Sequence, residues 1–228
     1  MCDFHSAEDI PMTQPTKRQR GRPPRAEEEA RRGLLQSAMD VLLESGYEGA
    51  TMEAIAKRAA VAKKTAYRYA ANRQELIGLA VRQWTDEYAP SMQTDPQDAG
   101  DVAQALRAIL ENICTYVLSE TAVSLFRLLT TEFPGKRELL DKYEHNGIER
   151  GRMLLSGWLE RQSRKGLLHA PEPALLANAI LAVAVAEPLR QMALGVMRPL
   201  PEGTVASHLD DCMKVLSLLI GQPSRPKL

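Results

Sequence analysis

The sequence predicts an all-α protein made of two helical units, and three observations predict it. Apolar residues recur at i, i+3, i+4 and i+7 in one segment after another, as in helices that bury a single face. The expected strand content is nil. Between about Pro90 and Gly100 the chain reads SMQTDPQDAG, which has Pro and Gly and almost no apolar side chain, so a loop there divides a group of short helices from a group of longer ones. A chain of 228 residues is too long for one minimal three-helix unit and fits a small module plus a larger one, because domains usually run ~100–150 residues.

Residues 1 to about 25 are polar, proline-bearing and then strongly basic, without a 3.6-residue apolar period, and read as a flexible arm. The first helix is expected over Ala26 to Ser45, where Leu35, Ala38, Met39 and Leu42 fall on one face and Gly46 supplies a left-handed stop. Thr51 is a good N-cap for a second, short helix carrying Met52, Ile55, Ala56 and Ala59 on its inner side, with Glu53 in its first turn. A third short helix is expected from Ala62 to Tyr69, and Asn72 can cap a fourth from Arg73 to about Tyr88. Two short helices joined by a turn of a few residues make a helix-turn-helix. Beyond the loop, helices are expected at about 101–118, 121–131, 136–163, 172–195 and 204–220, with FPGK, GLLHAPEP and MRPLPEG as breakers and QPSRPKL as a frayed end.

Composition narrows the function classes. Hydrophobic residues at 44% and charged residues at 25% are an ordinary globular balance, so a packed core is affordable and disorder can only be local. Formal net charge is zero, but five basic residues and no acid lie between Lys17 and Arg25, and four more with no acid between Val61 and Arg73. That asymmetry points two segments at a polyanion. Cys2, Cys114 and Cys212 form no CxxC pair, and His5, His145, His169 and His208 form no HxxxH or HExxH spacing, so neither a metal site nor a cofactor is expected and a reducing cytoplasm fits best. The opening MCDFHSAEDI lacks the pattern of a secretion signal, and the apolar run from Ala174 to Ala186 falls short of the ~20 residues of a membrane span, so no membrane is expected. A helical enzyme using Cys114 or His145 is disfavoured because no nucleophile, base and orienting group occur together and no glycine-rich phosphate loop is present.

The segment from Leu35 to Leu79 carries the chemistry. A helix that enters a major groove needs short polar and basic side chains on one face and small apolar ones on the other. Lys63, Lys64, Thr65, Tyr67 and Arg68 can supply the first, while Val61 and Ala66 face inward against Ile55 and Ala56. Thr51, at a helix N-terminus, is placed to hold a phosphate. In the arm, the Arg20-Gly21-Arg22-Pro23 core looks like an AT-hook, which would lay Arg20 and Arg22 in a narrow A·T minor groove. The alternative is a nonspecific polyelectrolyte tail; both put the arm on DNA and make affinity salt-sensitive.

The string SAMDVLLESGYEGATMEAIAKRAAVAKKTAYRYAANRQELIGLAV resembles the N-terminal domain of TetR-family regulators, the tetracycline-repressor type of helix-turn-helix. Gly46-Tyr47, Thr51, Ile55-Ala56, Val61, Lys63, Thr65, Tyr67, Arg73 and Glu75-Leu76 coincide with the family pattern in register, over about a fifth of the chain. The resemblance implies that Tyr67 and Arg73 contact phosphates, that Tyr69 does so or packs beneath them, and that Lys64, Thr65 and Arg68 face base edges. Two residues depart from it: Ala60, where the family usually has glycine at the turn, and Ala70, where many members have an aromatic that anchors the recognition helix. An alanine held in a left-handed turn is strained by roughly 1 kcal/mol.

The resemblance also implies the organisation of the whole: an arm at 1–25, a three-helix DNA-binding domain at 26–88, a helical ligand-binding and dimerisation domain at 89–222, and a tail at 223–228. The stretch from Leu175 to Leu189 is too apolar for a helix with one face in water, so Leu175, Leu176, Ala179, Val183, Leu209, Met213, Leu216 and Ile220 are expected at a homodimer contact, with an intrachain core as the alternative. Tyr116, Phe126, Phe133, Met153 and Trp158 are the bulky side chains expected to line a small-molecule pocket, with Arg127, Glu132 and His145 as polar candidates; the alternative is plain core. The expected function is a ligand-responsive repressor that binds double-stranded DNA as a homodimer on a near-palindromic site. An architectural protein coating A·T-rich DNA through its arm is the other reading.

Overall fold

The computed structural model describes residues 24–131, 137–201 and 204–219, and the regular secondary structure among them is helical, so the protein is all-α. One parallel bridge, Ser119 with Leu200, is the β pairing found among the described residues.

The N-terminal unit consists of α1 (Pro24–Gly49), α2 (Met52–Arg58), α3 (Lys63–Tyr69) and α4 (Arg73–Tyr88). Leu35, Ala38, Met39 and Leu42 are buried along α1, as their spacing requires. Gly46, at φ 67° and ψ −179°, breaks the helical backbone as the left-handed stop expected of it, and a short further turn within α1 follows before Thr51. The Thr51 hydroxyl accepts from the Ala54 N–H at 3.1 Å, the expected N-cap. After α2 the chain turns through Ala60 at φ 52°, the left-handed position where an alanine is strained. Ala60 N–H donates to Lys57 O at 3.2 Å and Val61 N–H to Ala56 O at 3.0 Å, the paired bonds of a Schellman ending. Asn72 caps α4 by accepting from Glu75 N–H at 2.8 Å, while the Glu75 carboxylate accepts from Ala71 N–H at 2.7 Å.

The C-terminal unit holds α5 (Asp101–Val117), α6 (Glu120–Thr131), α7 (Arg137–Tyr143), α8 (Arg150–Arg164), α9 (Pro173–Leu181), α10 (Glu187–Ala193) and α11 (Ala206–Leu219). Two helices expected to be long and regular are each interrupted by a π turn, Glu144–Glu149 between α7 and α8 and Ala182–Ala186 between α9 and α10. The second has a local cause. Pro188 has no N–H, which frees the carbonyls of Ala184 and Val183 upstream of it. The Cys114 thiol donates to Ala184 O at 3.7 Å, and His208 Nε2 lies 2.9 Å from Val183 O, so side chains of α5 and α11 take up what the helix leaves.

Counted through its π turn, Pro173–Ala193 is 21 residues of helix, by length and composition long and apolar enough to cross a membrane, which corrects the shorter run read from the sequence. Its Ala177, Ile180, Ala184 and Met192 are all 0% exposed within the chain's own core, and about a third of its most apolar stretch is buried there.

Two apolar clusters organise the chain. One is built on Leu34, Leu42, Ile55, Ala66, Leu76 and Ile77, and it extends to Leu125 and Leu129 of α6 and Leu139 of α7. The other lies wholly beyond α4 apart from Tyr88, and includes Leu106, Leu110, Trp158, Ile180 and Leu209. Helix α4 therefore contributes to both, Leu76 and Ile77 to one and Tyr88 to the other.

Candidate nucleic-acid interface and cavity

Helix α3 has one buried and one open face. Ala66 is fully buried and Val61 packs at the edge of the same cluster, while Lys63, Lys64, Tyr67 and Arg68 are exposed and Thr65 and Tyr69 are half-buried. Tyr67 is 45% exposed, an unusual position for a ring unless it has a partner to cover it. The open face thus carries cations, a hydroxyl and an aromatic, the set that binds phosphates and base edges.

Several of these cations already face carboxylates. Lys63 pairs with Glu53 of α2 and its ammonium lies 5.7 Å from the Tyr67 ring centroid. The hydrogen bond to Glu53 pushes the Lys63 pKa up and that of Glu53 down, so the pair is ionised throughout the neutral range. Arg68 reaches Tyr69 Oη at 3.2 Å and Glu27 of α1 at 3.5 Å, and Arg58 pairs with Glu44. Lys64 has no carboxylate partner among the described residues. These are exposed pairs and therefore weak, so a phosphate can displace the carboxylates.

Thr51 stands exposed at the start of α2. Arg73 sits elsewhere than on an open face. Its guanidinium lies 3.7 Å from the Tyr47 ring centroid, donates to Tyr47 O at 2.7 Å and approaches Glu48 at 3.6 Å, tying the start of α4 to the link between α1 and α2. Arg20 and Arg22 lie outside the described residues.

A cavity of about 330 Å³ opens between α4, α5, α6, α7, α8, α9 and α10. Both π turns form part of its wall, through Gly147 and Ile148 in one and Ala182, Val185 and Ala186 in the other. Such turns widen a helix locally and recur at functional sites. Of the bulky residues expected there, Phe126 is in the wall. Tyr116 is not; it packs behind the wall with its ring 6.5 Å from that of Tyr88. Trp158 is fully buried in the core, its indole N–H donating to Thr94 O at 3.3 Å, and Met153 is 62% exposed. Phe133 and Glu132 lie outside the described residues.

The expected polar candidates are used differently. Arg127 donates to Ala193 O at 2.9 Å and to Met192 O, closing the end of α10, and His145 sits on the surface 3.0 Å from Glu149. Sequence reasoning missed Trp84, Thr85, Tyr88, Tyr143 and Arg152, all in the wall. The available signal was the second apolar face of α4, where Val81, Trp84, Thr85 and Tyr88 follow the i, i+3, i+4, i+7 pattern.

The residues expected at a homodimer contact divide. Leu175 at 61%, Ala179 and Val183 are exposed on the α9 side and Leu176 and Met213 are half-buried. Leu209 and Leu216 are a correction: both are buried in the chain's own core, because they occupy the inner stripe of α11 while Val215 lies on its outer face. Ile220 lies outside the described residues. Among the described residues no group of three or more His, Cys, Asp or Glu could hold a metal ion.

Two family models match the chain. Residues 34–79 match the bacterial regulatory proteins of the tetR family, and residues 104–217 match the C-terminal domain of AefR-like transcriptional repressors. The HTH-type transcriptional regulator YdeS of Bacillus subtilis (strain 168), itself uncharacterised, is 26% identical over 149 residues, which cover 65% of this chain and 71% of YdeS. Among solved structures, a protein of Mesorhizobium loti MAFF303099 assigned to the TetR family superposes with a TM-score of 0.67 at 20% identity, covering 86% of this chain and 98% of that one. The flavonoid-responsive regulator FrrA gives a TM-score of 0.64 at 21% identity, covering 87% and 100%.

Proposed function

Because the chain belongs to the TetR family of DNA-binding transcriptional regulators, we propose that it acts as a homodimeric repressor which grips a near-palindromic operator with α3 and lets go when a small molecule fills the cavity. The observation that carries this reading is that α4 serves both places. Arg73 at its start is locked to Tyr47 beside the helix-turn-helix, and Val81, Trp84, Thr85 and Tyr88 further along form the cavity wall. A ligand that displaces this wall moves the helix carrying α3's support. Two recognition helices spaced for half-sites about 34 Å apart tolerate little such movement.

In this reading Lys63, Lys64, Thr65, Tyr67 and Arg68 approach the major groove, Thr51 and Tyr69 approach phosphates, and Arg73 braces the domain beside them. Residues 26–88 bind DNA, residues 89–222 bind the effector and the second subunit, and residues 223–228 form a tail. The exposed Leu175, Ala179 and Val183 supply apolar surface for pairing, and the fold likeness to a regulator described as flavonoid-responsive supports a small-molecule response. The arm, through Arg20 and Arg22, adds minor-groove affinity.

Selection of bound fragments from genomic DNA tests the reading. An enriched symmetric site, lost with Tyr67→Ala and weakened with the dimer-breaking Val183→Arg, is expected. No symmetric site, or binding that vanishes altogether when residues 1–25 are deleted, would instead favour an architectural role for the arm.

A further inference from the structure

The cavity wall is chemically one-sided. Its side-chain hydrogen-bonding groups other than Asn178 come from α4, α7 and α8, whereas the surfaces given by α5, α6 and α10 are apolar, with Val117, Phe126 and Leu189 among them. Among the described residues Arg152 is the one cation in the wall, and no Asp or Glu lines it. Exposed while lining the cavity, Arg152 stands at the mouth, and it has no carboxylate partner among the described residues.

Two phenols lie deeper. Tyr88 is only 2% exposed and Tyr143 is half-buried, and among the described residues neither hydroxyl is both enclosed and unsatisfied, so each phenol stays accessible from the cavity that it lines. An acceptor in the cavity can take a hydrogen bond from each of them. The two sit on the Arg152 side: a Cβ at Gly151, the residue before Arg152, would lie 2.7 Å from the Tyr88 hydroxyl. Burial raises both phenol pKa values, that of Tyr143 to about 12, so each keeps its proton and can only donate to an anion. Thr85 does not compete, because its hydroxyl already donates to Arg82 O at 2.8 Å.

A wall of donors with one positive charge and no negative one selects an acceptor-rich anion and rejects a cation. Resting on the effector reading above, we propose that the cavity takes a monocarboxylate with an apolar body, its carboxylate accepting hydrogen bonds from Tyr88 and Tyr143 within the field of Arg152. The apolar body lies along Phe126, Val117 and Leu189, where it is out of water.

Calorimetric titration of the full chain with decanoate, methyl decanoate and decylamine tests this, since the three share a tail and differ in headgroup charge. Decanoate is expected to bind about tenfold or more tightly than the other two. Tyr88→Phe and Tyr143→Phe should each weaken decanoate about tenfold, the loss of one hydrogen bond to a charged group. Arg152→Gln, at an exposed position that leaves folding intact, should weaken decanoate and spare methyl decanoate. Decylamine or the ester binding as tightly as the acid, binding by none of the three, or indifference to both phenylalanine variants overturns the proposal. If decanoate binds in this pattern but leaves the complex with selected DNA unchanged, the ligand class stands and the ligand-response reading fails.

Discussion

The guanidinium of Arg73 lies 3.7 Å from the ring centroid of Tyr47 and donates to the carbonyl of the same residue at 2.7 Å. One side chain thus holds the first turn of α4 against the link between α1 and α2, using a cation–π contact and a charge-assisted hydrogen bond together.

Replacing Arg73 by Ala removes both contacts. We expect a loss of about 1–2 kcal/mol of stability, read as a lower urea midpoint. The salt dependence of DNA binding separates bracing from direct phosphate contact. A bracing role lowers affinity at every salt concentration, whereas a phosphate contact also flattens the slope of log K against log salt by about one.

Ala60 occupies φ 52° at the turn between α2 and α3, where glycine is relaxed. Ala60→Gly should raise stability by about 1 kcal/mol with an unchanged urea m-value, since the left-handed strain is relieved and no contact is removed. A fall in the midpoint would show that the turn is not strained.

Glu53 pairs with Lys63 and competes with a phosphate for its ammonium. Glu53→Gln should therefore tighten DNA binding at low salt and steepen the salt slope by up to about one. An unchanged slope would mean that Lys63 does not reach the duplex.

Asp95 accepts from Gln162 at 2.6 Å and from Lys165 at 2.7 Å, tying the interdomain loop to α8. The hydrogen bond from Lys165, then that from Gln162, holds its carboxyl pKa below the usual value. A depressed carboxyl pKa gives stability that is present above the ordinary carboxylate range and is lost as pH falls through the folded value. Asp95→Asn should lower Tm by about 2–4 °C at pH 7, corresponding to ~1 kcal/mol, and the gap from the unsubstituted protein should close once the pH falls below the lowered carboxyl value. A gap that persists in acid would assign the loss to packing.

The DNA-facing helix was legible from residue types alone. Ala66 inward and Lys63, Lys64, Tyr67 and Arg68 outward is a periodicity, and the caps at Thr51 and Asn72 are local hydrogen bonds within three residues. The cavity was not. Phe126 was expected in its wall, but Trp158 has the same composition-level appearance and is buried elsewhere, because spacing identifies an apolar face without saying which neighbour covers it. Leu209 and Val215, both apolar on α11, likewise divide into core and surface only once the helix is rotated against α5.

By itself, then, the chain's order of residues determined the helices, their caps, the strained turn at Ala60 and the polar face of α3, since each depends on interactions a few residues apart. Tertiary packing decided that Arg73 clasps Tyr47, that Pro188 and a π turn shape the cavity with help from Cys114 and His208, and that Tyr88 and Tyr143 share its wall. Those contacts join positions 25 to 70 residues apart along the chain, and long-range pairs are fixed by how whole helices dock, which no local pattern encodes.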